Sequence, residues 1–279
     1  MKERVFTFGA DQVLMGVLTE PAADVARADA PVVIVSNVGL NARIGPHRLW
    51  VSLARSLARA GFTTLRFDVN GLGDSLPRRD ARSDLERAVT DHLEAMDFLQ
   101  KKRGASRFVI IGMCSGVDSA HRVAVADPRI VGAVFLDGYV YETQRSKLRW
   151  KVGRHFTLDG LLRNVRRRLP RLGPPRAEAP SVFVREYPTP EQFSADLETM
   201  LARDTRLAFL FTGGLWMWFN YEEQFFEMLR PARFEGRVDV ELRKQADHTF
   251  MIPSEREWLV TRLTEWIGKQ RFSGPAARG

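Results

Sequence analysis

The residues best suited to covalent chemistry stand in the run Gly112-Met-Cys-Ser-Gly116. Cys114 is the only cysteine in 279 residues, and an apolar, β-branched stretch beginning at Phe108 leads into it. A strand, a turn with glycine on either side of a nucleophile and then a helix would expose the side chain at the turn. A thiol is ionised far more than a hydroxyl at pH 7 and is intrinsically more nucleophilic, so Cys114 suits attack on an acyl carbon. The competing interpretation is an inert, packed cysteine.

Such a nucleophile needs a base, and position along the chain separates the five histidines. His248 alone lies in a loop, between the last predicted strand and the last predicted helix. The others fall within or at the start of predicted helices, or in a basic segment (His47, His92, His121 and His155). We therefore expect His248 to be the base. The alternative is a solvated surface histidine.

The acid that would orient the base is less well determined. The loop after the predicted strand at 206–212 contains no carboxylate. Asp137 directly ends the preceding strand, so we expect it to be the acid. Glu222 is the alternative acid, and Asn220 as a neutral orienting group stays open. Asp247 is expected instead to fix the geometry of the base loop.

Alternating strands and helices would position these groups. After a hairpin at 5–20, strands are predicted at 31–35, 63–68, 108–112, 130–136, 206–212 and 238–242, and helices at 47–60, 84–101, 115–126, 221–229 and 255–269. This order predicts an α/β fold with a doubly wound, mostly parallel sheet. Polar groups gather beyond the carboxyl ends of the strands in such a sheet, where Cys114, Asp137 and His248 all stand.

The alternation breaks after the strand at 130–136. We expect residues 1–140 and 205–270 to form the core, with a basic helical lid inserted at 141–204. The tail at 271–279 is expected to be frayed. Between residues 141 and 180 there are eleven Lys or Arg against three Asp or Glu, which equals the net charge of +8 of the whole chain. A localised basic segment points to an anionic partner.

Composition limits the class of protein. The chain is 44% hydrophobic and 27% charged, as in a soluble globular domain. It shows no signal peptide and no apolar run long enough for a membrane span. A single cysteine cannot form an intramolecular disulfide. We expect a cytoplasmic protein.

Three stretches together resemble the α/β-hydrolase superfamily. They are the run from Val32 to Ser75, with Gly71-x-Gly-x-Ser75 after Arg66-Phe-Asp68, the turn around Cys114, and Ala246-Asp-His-Thr-Phe250. The resemblance covers nearly the whole chain except the insertion. Gly45-Pro-His-Arg48 combined with a Gly-x-Cys-x-Gly turn is further similar to hydrolase-like proteins of biosynthetic gene clusters, and the turn also resembles that of dienelactone hydrolases.

Cys in place of the usual Ser departs from the superfamily pattern. The resemblance implies a cysteine-nucleophile hydrolase or acyltransferase acting on a thioester, ester or lactone. It also implies an oxyanion hole built from the N–H groups of Ser115 and Val38, with Asn37 beside them. The alternative for the Asn37 loop is a simple turn. The other class of function that stays open is a non-catalytic, hydrolase-like binding or scaffolding protein.

Several residues are candidates for substrate contact. Arg43, with His47-Arg48 near it, would meet an anionic group at the mouth of the site, or would form a solvated helix start. A bulky apolar lining for an acyl chain is expected from the aromatic residues after the strand at 206–212 (Trp216, Trp218 and Phe219). The alternative is that these aromatic side chains pack in the core.

The expected substrate is a small acyl compound. The basic segment at 145–176 suits an acidic acyl carrier protein or coenzyme A, although a solvated helical face or a membrane-surface contact would also explain its charge. Nucleic acid is disfavoured because no binding module or stacking aromatics accompany the charges. No cofactor or metal is expected, since no His, Cys or carboxylate cluster has ligand spacing.

Overall fold

The structure is a computed structural model that describes residues 1–156, 185, 187–234 and 236–272. The basic run at 163–171 and the tail after residue 272, for both of which the sequence makes predictions, lie outside the described residues.

Strands and helices alternate along the described chain. The strands are β1 (Lys2–Phe8), β2 (Leu14–Glu20), β3 (Val32–Val35), β4 (Thr64–Asp68), β5 (Phe108–Met113), β6 (Ile130–Leu136), β7 (Arg206–Thr212) and β8 (Val238–Arg243). The α-helices are α1 (Leu49–Arg59), α2 (Asp84–Arg103), α3 (Gly116–Ala126), α4 (Gln144–Phe156), α5 (Pro190–Ala202), α6 (Gln224–Met228) and α7 (Pro253–Lys269).

The eight described strands form one sheet in the order β1-β2-β4-β3-β5-β6-β7-β8. The strands β1 and β2 form the antiparallel edge, and β2 also runs antiparallel to β4. All pairs from β4 to β8 are parallel. The prediction of an α/β fold with a mostly parallel sheet is confirmed.

Both faces of the sheet are buried, which explains the continuous apolar runs of the parallel strands. In β5, Phe108 and Ile110 pack into one core layer, whereas Val109 and Ile111 pack into the other. The first layer is completed by helices α2, α3 and α5, and the second by α1 and α7. The sheet is therefore doubly wound, and every parallel strand points its carboxyl end towards one common edge.

Helix α5 modifies the predicted division into core and lid. It lies within the range assigned to the lid, yet Phe193, Leu197 and Met200 on it are buried in the core layer that also contains α2 and α3. Its first turn is capped by Thr189, whose side chain accepts a hydrogen bond from the N–H of Gln192. The C-terminal part of the predicted insertion thus belongs to the core packing.

Glycine is required where β5 passes into α3. A Cβ atom on Gly112 would lie 2.6 Å from the carbonyl oxygen of Gly116 and 2.8 Å from Cβ of Ala120. A Cβ atom on Gly116 would lie 2.2 Å from the carbonyl oxygen of Asn37. The two glycines therefore let α3 pack directly on β5 and on the loop after β3.

We expect Gly112→Ala to lower the free energy of unfolding by about 1–3 kcal/mol, because the added methyl group overpacks the contact between β5 and α3. Gly268→Ala in α7 is the matched control, since a Cβ there meets nothing within 4 Å. Chemical denaturation of both variants is the measurement. Equal stability of the two variants would contradict the packing argument.

Candidate active site

Cys114 occupies a sharp turn between β5 and α3. Its φ is 54°, in the left-handed region that side chains other than glycine rarely adopt. The N–H of Cys114 donates to the carbonyl of Leu136 at 2.9 Å, and its own carbonyl accepts from the N–H of Val117 at 3.0 Å. The side chain is partly buried and its thiol is free. The turn thus presents the thiol at the carboxyl edge of the sheet.

Asp137 lies at the same edge, at the end of β6, and is also in the left-handed region with φ 48°. Its side chain is fully buried. One carboxylate oxygen accepts from the N–H of Thr212 at 2.7 Å, and the other accepts from the hydroxyl of Thr212 at 2.6 Å. The second oxygen also bonds Nδ1 of His248 at 2.7 Å. These partners fix the carboxylate and compensate its burial.

His248 is brought to Asp137 by the loop between β8 and α7. Asp247 shapes this loop by accepting hydrogen bonds from the N–H and hydroxyl of Thr249 and from the N–H of Met251, at 2.9, 2.7 and 2.8 Å. Gly214, in the loop after β7, lies against the base, because a Cβ there would be 2.8 Å from the His248 backbone nitrogen. The expected structural role of Asp247 matches these contacts.

The three groups perturb one another's protonation. The hydrogen bond to Asp137, and then the one to Cys114, raise the pKa of His248 to about 10 in spite of burial. Burial alone would raise the pKa of the Cys114 thiol, but the hydrogen bond and charge of His248, the charge of Arg185 and the N–H of Ser115 hold that pKa below its ordinary value. The arrangement favours a thiolate–imidazolium pair backed by a carboxylate.

The loop after β3 lies against the first turn of α3. The side-chain oxygen of Ser115 accepts from the N–H of Gly39 at 2.9 Å, which joins the two. The carbonyl of Val38 accepts from both the N–H and Nδ2 of Asn41 at 2.9 Å. The Asn37 side chain accepts from the N–H of Val69 at 2.9 Å. The structure thus brings Asn37, Val38 and Ser115 together beside Cys114, and Asn37 acts as a brace between loops.

Arg43 is engaged in ion pairs and not free at the mouth of the site. Its guanidinium pairs with Asp68 at the end of β4 and with Asp74 at 2.6 Å. Its backbone N–H bonds the same carboxylate, Asp68. The two acids raise its pKa although burial opposes the charge. Arg43 therefore joins the loops after β3 and β4, and the expectation of a free anion-binding cation is corrected.

The three predicted lining residues separate in the structure. Trp218 is 43% exposed, and Trp216 is half-buried with Nζ of Lys244 5.6 Å from its ring centroid. Phe219 is fully buried and stacks on Phe211 with 3.8 Å between ring centroids. The ring of Phe219 therefore belongs to the core and not to an acyl-binding surface.

The alternative orienting groups lie apart from the base. The carboxylate of Glu222 accepts a hydrogen bond from the N–H of Leu242 at 3.0 Å, in the exposed region beside β8. Asn220 is buried and its side chain donates to the carbonyl of Ser146 at 3.0 Å. Of the predicted acids, Asp137 is the one in contact with His248.

Sequence reasoning missed two features of the site. Thr212, at the end of β7, binds both oxygens of Asp137. Its signal was available, since a polar residue ends a strand next to the acid. An ion pair between Arg185 and Asp118 lies beside the nucleophile, and no local sequence pattern marks it.

Within the described part of the chain, no group of three or more His, Cys, Asp or Glu side chains could hold a metal ion. Among the same residues no helix is both long and apolar enough to cross a bilayer.

Comparison with solved structures places the architecture in a known class. An esterase from Pyrococcus furiosus matches with 17% identity and a TM-score of 0.56, over 95% of this chain and 89% of that chain. A dienelactone hydrolase from Anabaena variabilis matches with 14% identity and a TM-score of 0.53, over 95% and 96%. An α/β-hydrolase from Penicillium sp. sh18 matches with 13% identity and a TM-score of 0.57, over 95% and 97%.

These similarities show that the chain has the α/β-hydrolase fold. No family model matches the sequence, and no curated protein matches it. The fold expected from the sequence is therefore confirmed.

We expect Asp137→Asn to slow the alkylation of Cys114 by iodoacetamide at pH 7 about tenfold. Without the carboxylate the pKa of His248 falls, the imidazolium is lost at neutral pH, and the thiol becomes harder to ionise. Glu222→Gln removes the alternative acid and serves as the control, with no change expected. If Glu222→Gln slowed the alkylation of Cys114 and Asp137→Asn did not, Glu222 would replace Asp137 as the orienting acid.

The pH dependence of wild-type alkylation is a separate prediction. Because His248, Arg185 and the N–H of Ser115 lower the pKa of the thiol in spite of burial, we expect the inflection of the rate constant to lie at lower pH than for an ordinary thiol. In His248→Ala the inflection should move to higher pH. The measurement is stopped-flow or quenched alkylation followed by intact mass, and an inflection at pH 9 in both proteins would exclude the thiolate–imidazolium pair.

Proposed function

We propose that the protein is a cysteine-nucleophile acyl hydrolase or acyltransferase that acts on a thioester, ester or lactone through an acyl-Cys114 intermediate. The observation that carries this proposal is the bond from Nδ1 of His248 to the buried Asp137 carboxylate at the carboxyl edge of the sheet, where Cys114 also lies and where His248 lowers the pKa of its thiol. It joins an activated nucleophile, a base and an orienting carboxylate in the order that acyl transfer needs.

In the first step the Cys114 thiolate attacks the acyl carbon. A C–S bond forms, and the carbonyl π electrons move onto the oxygen. The N–H groups of Ser115 and Val38 are the proposed donors to this oxyanion. When the tetrahedral intermediate collapses, the bond to the leaving group breaks, and protonated His248 gives its proton to the departing alkoxide or thiolate.

In the second step His248, now neutral, takes a proton from water or from an acceptor nucleophile. That nucleophile attacks the thioester carbon, the C–S bond breaks, and the thiolate returns beside the imidazolium. An acyl thioester is reactive towards amines and thiols as well as water. Both hydrolysis and transfer therefore remain within the proposal.

An apolar rim supports acyl substrates. Large apolar side chains are exposed in the loops that follow β3, β7 and β8, at the edge where Cys114 lies (Leu40, Ile44, Met217, Trp218, Met251 and Ile252). Exposed apolar groups concentrated at one edge are typical of a ligand-binding surface. The esterase and the dienelactone hydrolase among the structural neighbours are consistent with this chemistry.

Binding of an acidic acyl carrier protein or coenzyme A at the basic segment 145–176 is the proposed route for carrier-bound substrates. In the described part of that segment, Arg145 pairs with Glu227 at 3.0 Å and lies 4.3 Å from the ring centroid of Tyr221. Arg149 lies 5.4 Å from the same centroid. These two cations are anchored to the core, which would hold α4 in a fixed place for a partner.

The lack of a carboxylate in the loop after β7 favours the alternative, a non-catalytic binding protein. The contacts of Asp137 at the end of β6 support the catalytic proposal, since Asp137 bonds His248 and is itself fixed by Thr212. The catalytic proposal therefore has the stronger support.

We expect incubation with a panel of acyl thioesters to add one acyl mass to the intact wild-type protein, and none to Cys114→Ala. His248→Ala should acylate or turn over about 100-fold more slowly, because the general base and acid is gone. Intact-protein mass spectrometry with peptide mapping is the measurement. An unchanged mass gain in Cys114→Ala would refute the proposal.

Hydrolysis and transfer are separated by the products. The same thioesters are supplied with and without an amine or alcohol acceptor, and the products are identified. A transferase gives the acylated acceptor, whereas a hydrolase gives the free acid in both mixtures.

A further inference from the structure

A buried ion pair beside the nucleophile has no role in the steps above. The guanidinium of Arg185 binds the carboxylate of Asp118 in a bidentate way, with Nε–Oδ2 at 3.0 Å and Nη2–Oδ1 at 2.7 Å. The side chains are only 17% and 11% exposed. Such a pair is stable in a partly dry environment only with good geometry, and the two parallel hydrogen bonds provide it.

The pair lies next to the reacting thiol. Asp118 stands in the first turn of α3, one helical turn beyond Cys114. Both members of the pair line a cleft of about 600 Å³ together with Ser115 and Gly116, the two residues that follow the nucleophile. The ion pair therefore lines a cleft that reaches the two residues directly after Cys114, while Cys114 itself is not among the lining residues.

Aromatic rings hold the guanidinium in place. Nη1 of Arg185 donates to the hydroxyl of Tyr187 at 3.3 Å, and the guanidinium carbon lies 4.9 Å from the Tyr187 ring centroid and 5.8 Å from that of Tyr139. Burial and the Asp118 charge raise the pKa of Tyr139, so that its hydroxyl stays neutral. Of Asp118 and Tyr139, Asp118 is therefore the negatively charged partner of Arg185.

Two cations favour the ionised form of the Cys114 thiol, and each is backed by a carboxylate. His248 is backed by Asp137, and Arg185 by Asp118. The cations differ in one respect. His248 gives up its proton when the leaving group departs, whereas an arginine stays charged throughout. Arg185 is therefore the cation of the two that is still charged in the acyl-Cys114 intermediate, before His248 takes a proton from the second nucleophile.

We propose that Arg185 is a positioning residue for the nucleophile, a permanent cation that Asp118 holds beside Cys114 and that stabilises its thiolate independently of His248. Asp118 has a double effect in this arrangement, because it fixes the cation and also offsets part of its charge. Removal of the Arg185 charge should therefore raise the apparent pKa of the Cys114 thiol, and removal of the Asp118 charge should lower it. The inference rests on Cys114 being the nucleophile of the proposed function.

The test is the pH profile of Cys114 alkylation by iodoacetamide, which is specific because the chain has one cysteine. We expect Arg185→Gln to raise the apparent pKa of the thiol by about one unit, which slows alkylation below that pKa about tenfold. Arg185→Lys keeps the cation and should stay near wild type. Asp118→Asn leaves the arginine uncompensated and should lower the apparent pKa by about half a unit.

The pair between Arg129 and Asp127, at the other end of α3, is the matched control, since it has a similar geometry and exposure (2.7 Å, 22% and 12%). Arg129→Gln should leave the profile unchanged. Thermal melting of each variant shows whether the fold is kept. Shifts of the same sign in Arg185→Gln and Asp118→Asn, or no shift in either, would overturn the inference.

Alkylation needs no acyl substrate. If the variants shift the apparent pKa of the thiol as expected but no thioester acylates Cys114, this inference stands and the proposed function is refuted. If Cys114 is acylated but the variants do not shift that pKa, the proposed function stands and this inference is refuted.

Discussion

The site depends on a backbone conformation that its residues do not favour. Cys114 and Asp137 end adjacent strands, and both have positive φ without being glycine. Such a conformation costs about 1–3 kcal/mol at each position and persists only where the surrounding structure imposes it. At Cys114 it is imposed by the hydrogen bond to Leu136 and by the contact of α3 with β5, which only glycine at 112 and 116 allows.

The two turns serve a common purpose. A residue that continued its strand would direct its side chain into one of the two core layers, where the neighbouring residues of β5 lie. A left-handed residue directly after the strand turns the chain away at the edge. The thiol and the carboxylate are thus supported by a rigid sheet, while the base is supplied by a loop that Asp247 and Gly214 hold in place.

The sequence was sufficient for the parts of the site that strand ends define. Buried runs of β-branched residues located β5 and β6, and Cys114 and Asp137 followed from their ends. His248 followed from its loop. The contacts between loops were beyond prediction, because they depend on which strands are neighbours. Arg43 pairs with Asp68 since β3 lies beside β4 in the sheet.

The irregular segments show the same limit. Nothing in the loop after β7 distinguishes Trp218, which is exposed, from Phe219, which stacks in the core, because a loop has no period to assign faces. The ion pair of Arg185 joins residues far apart along the chain, and a charge in a Pro-rich, basic region gives no sign of its partner. The packing of α5 in the core was not predicted either, because its segment gives no sign of the elements that it contacts.

The solitary cysteine has a consequence for oxidation. A thiolate that is partly exposed reacts readily with peroxide to give a sulfenic acid, which other proteins often protect by forming a disulfide with a nearby thiol. This chain offers no second thiol for that purpose. A disulfide that protects the oxidised form therefore needs a thiol from another molecule, so the redox state of the surroundings sets how long Cys114 stays intact.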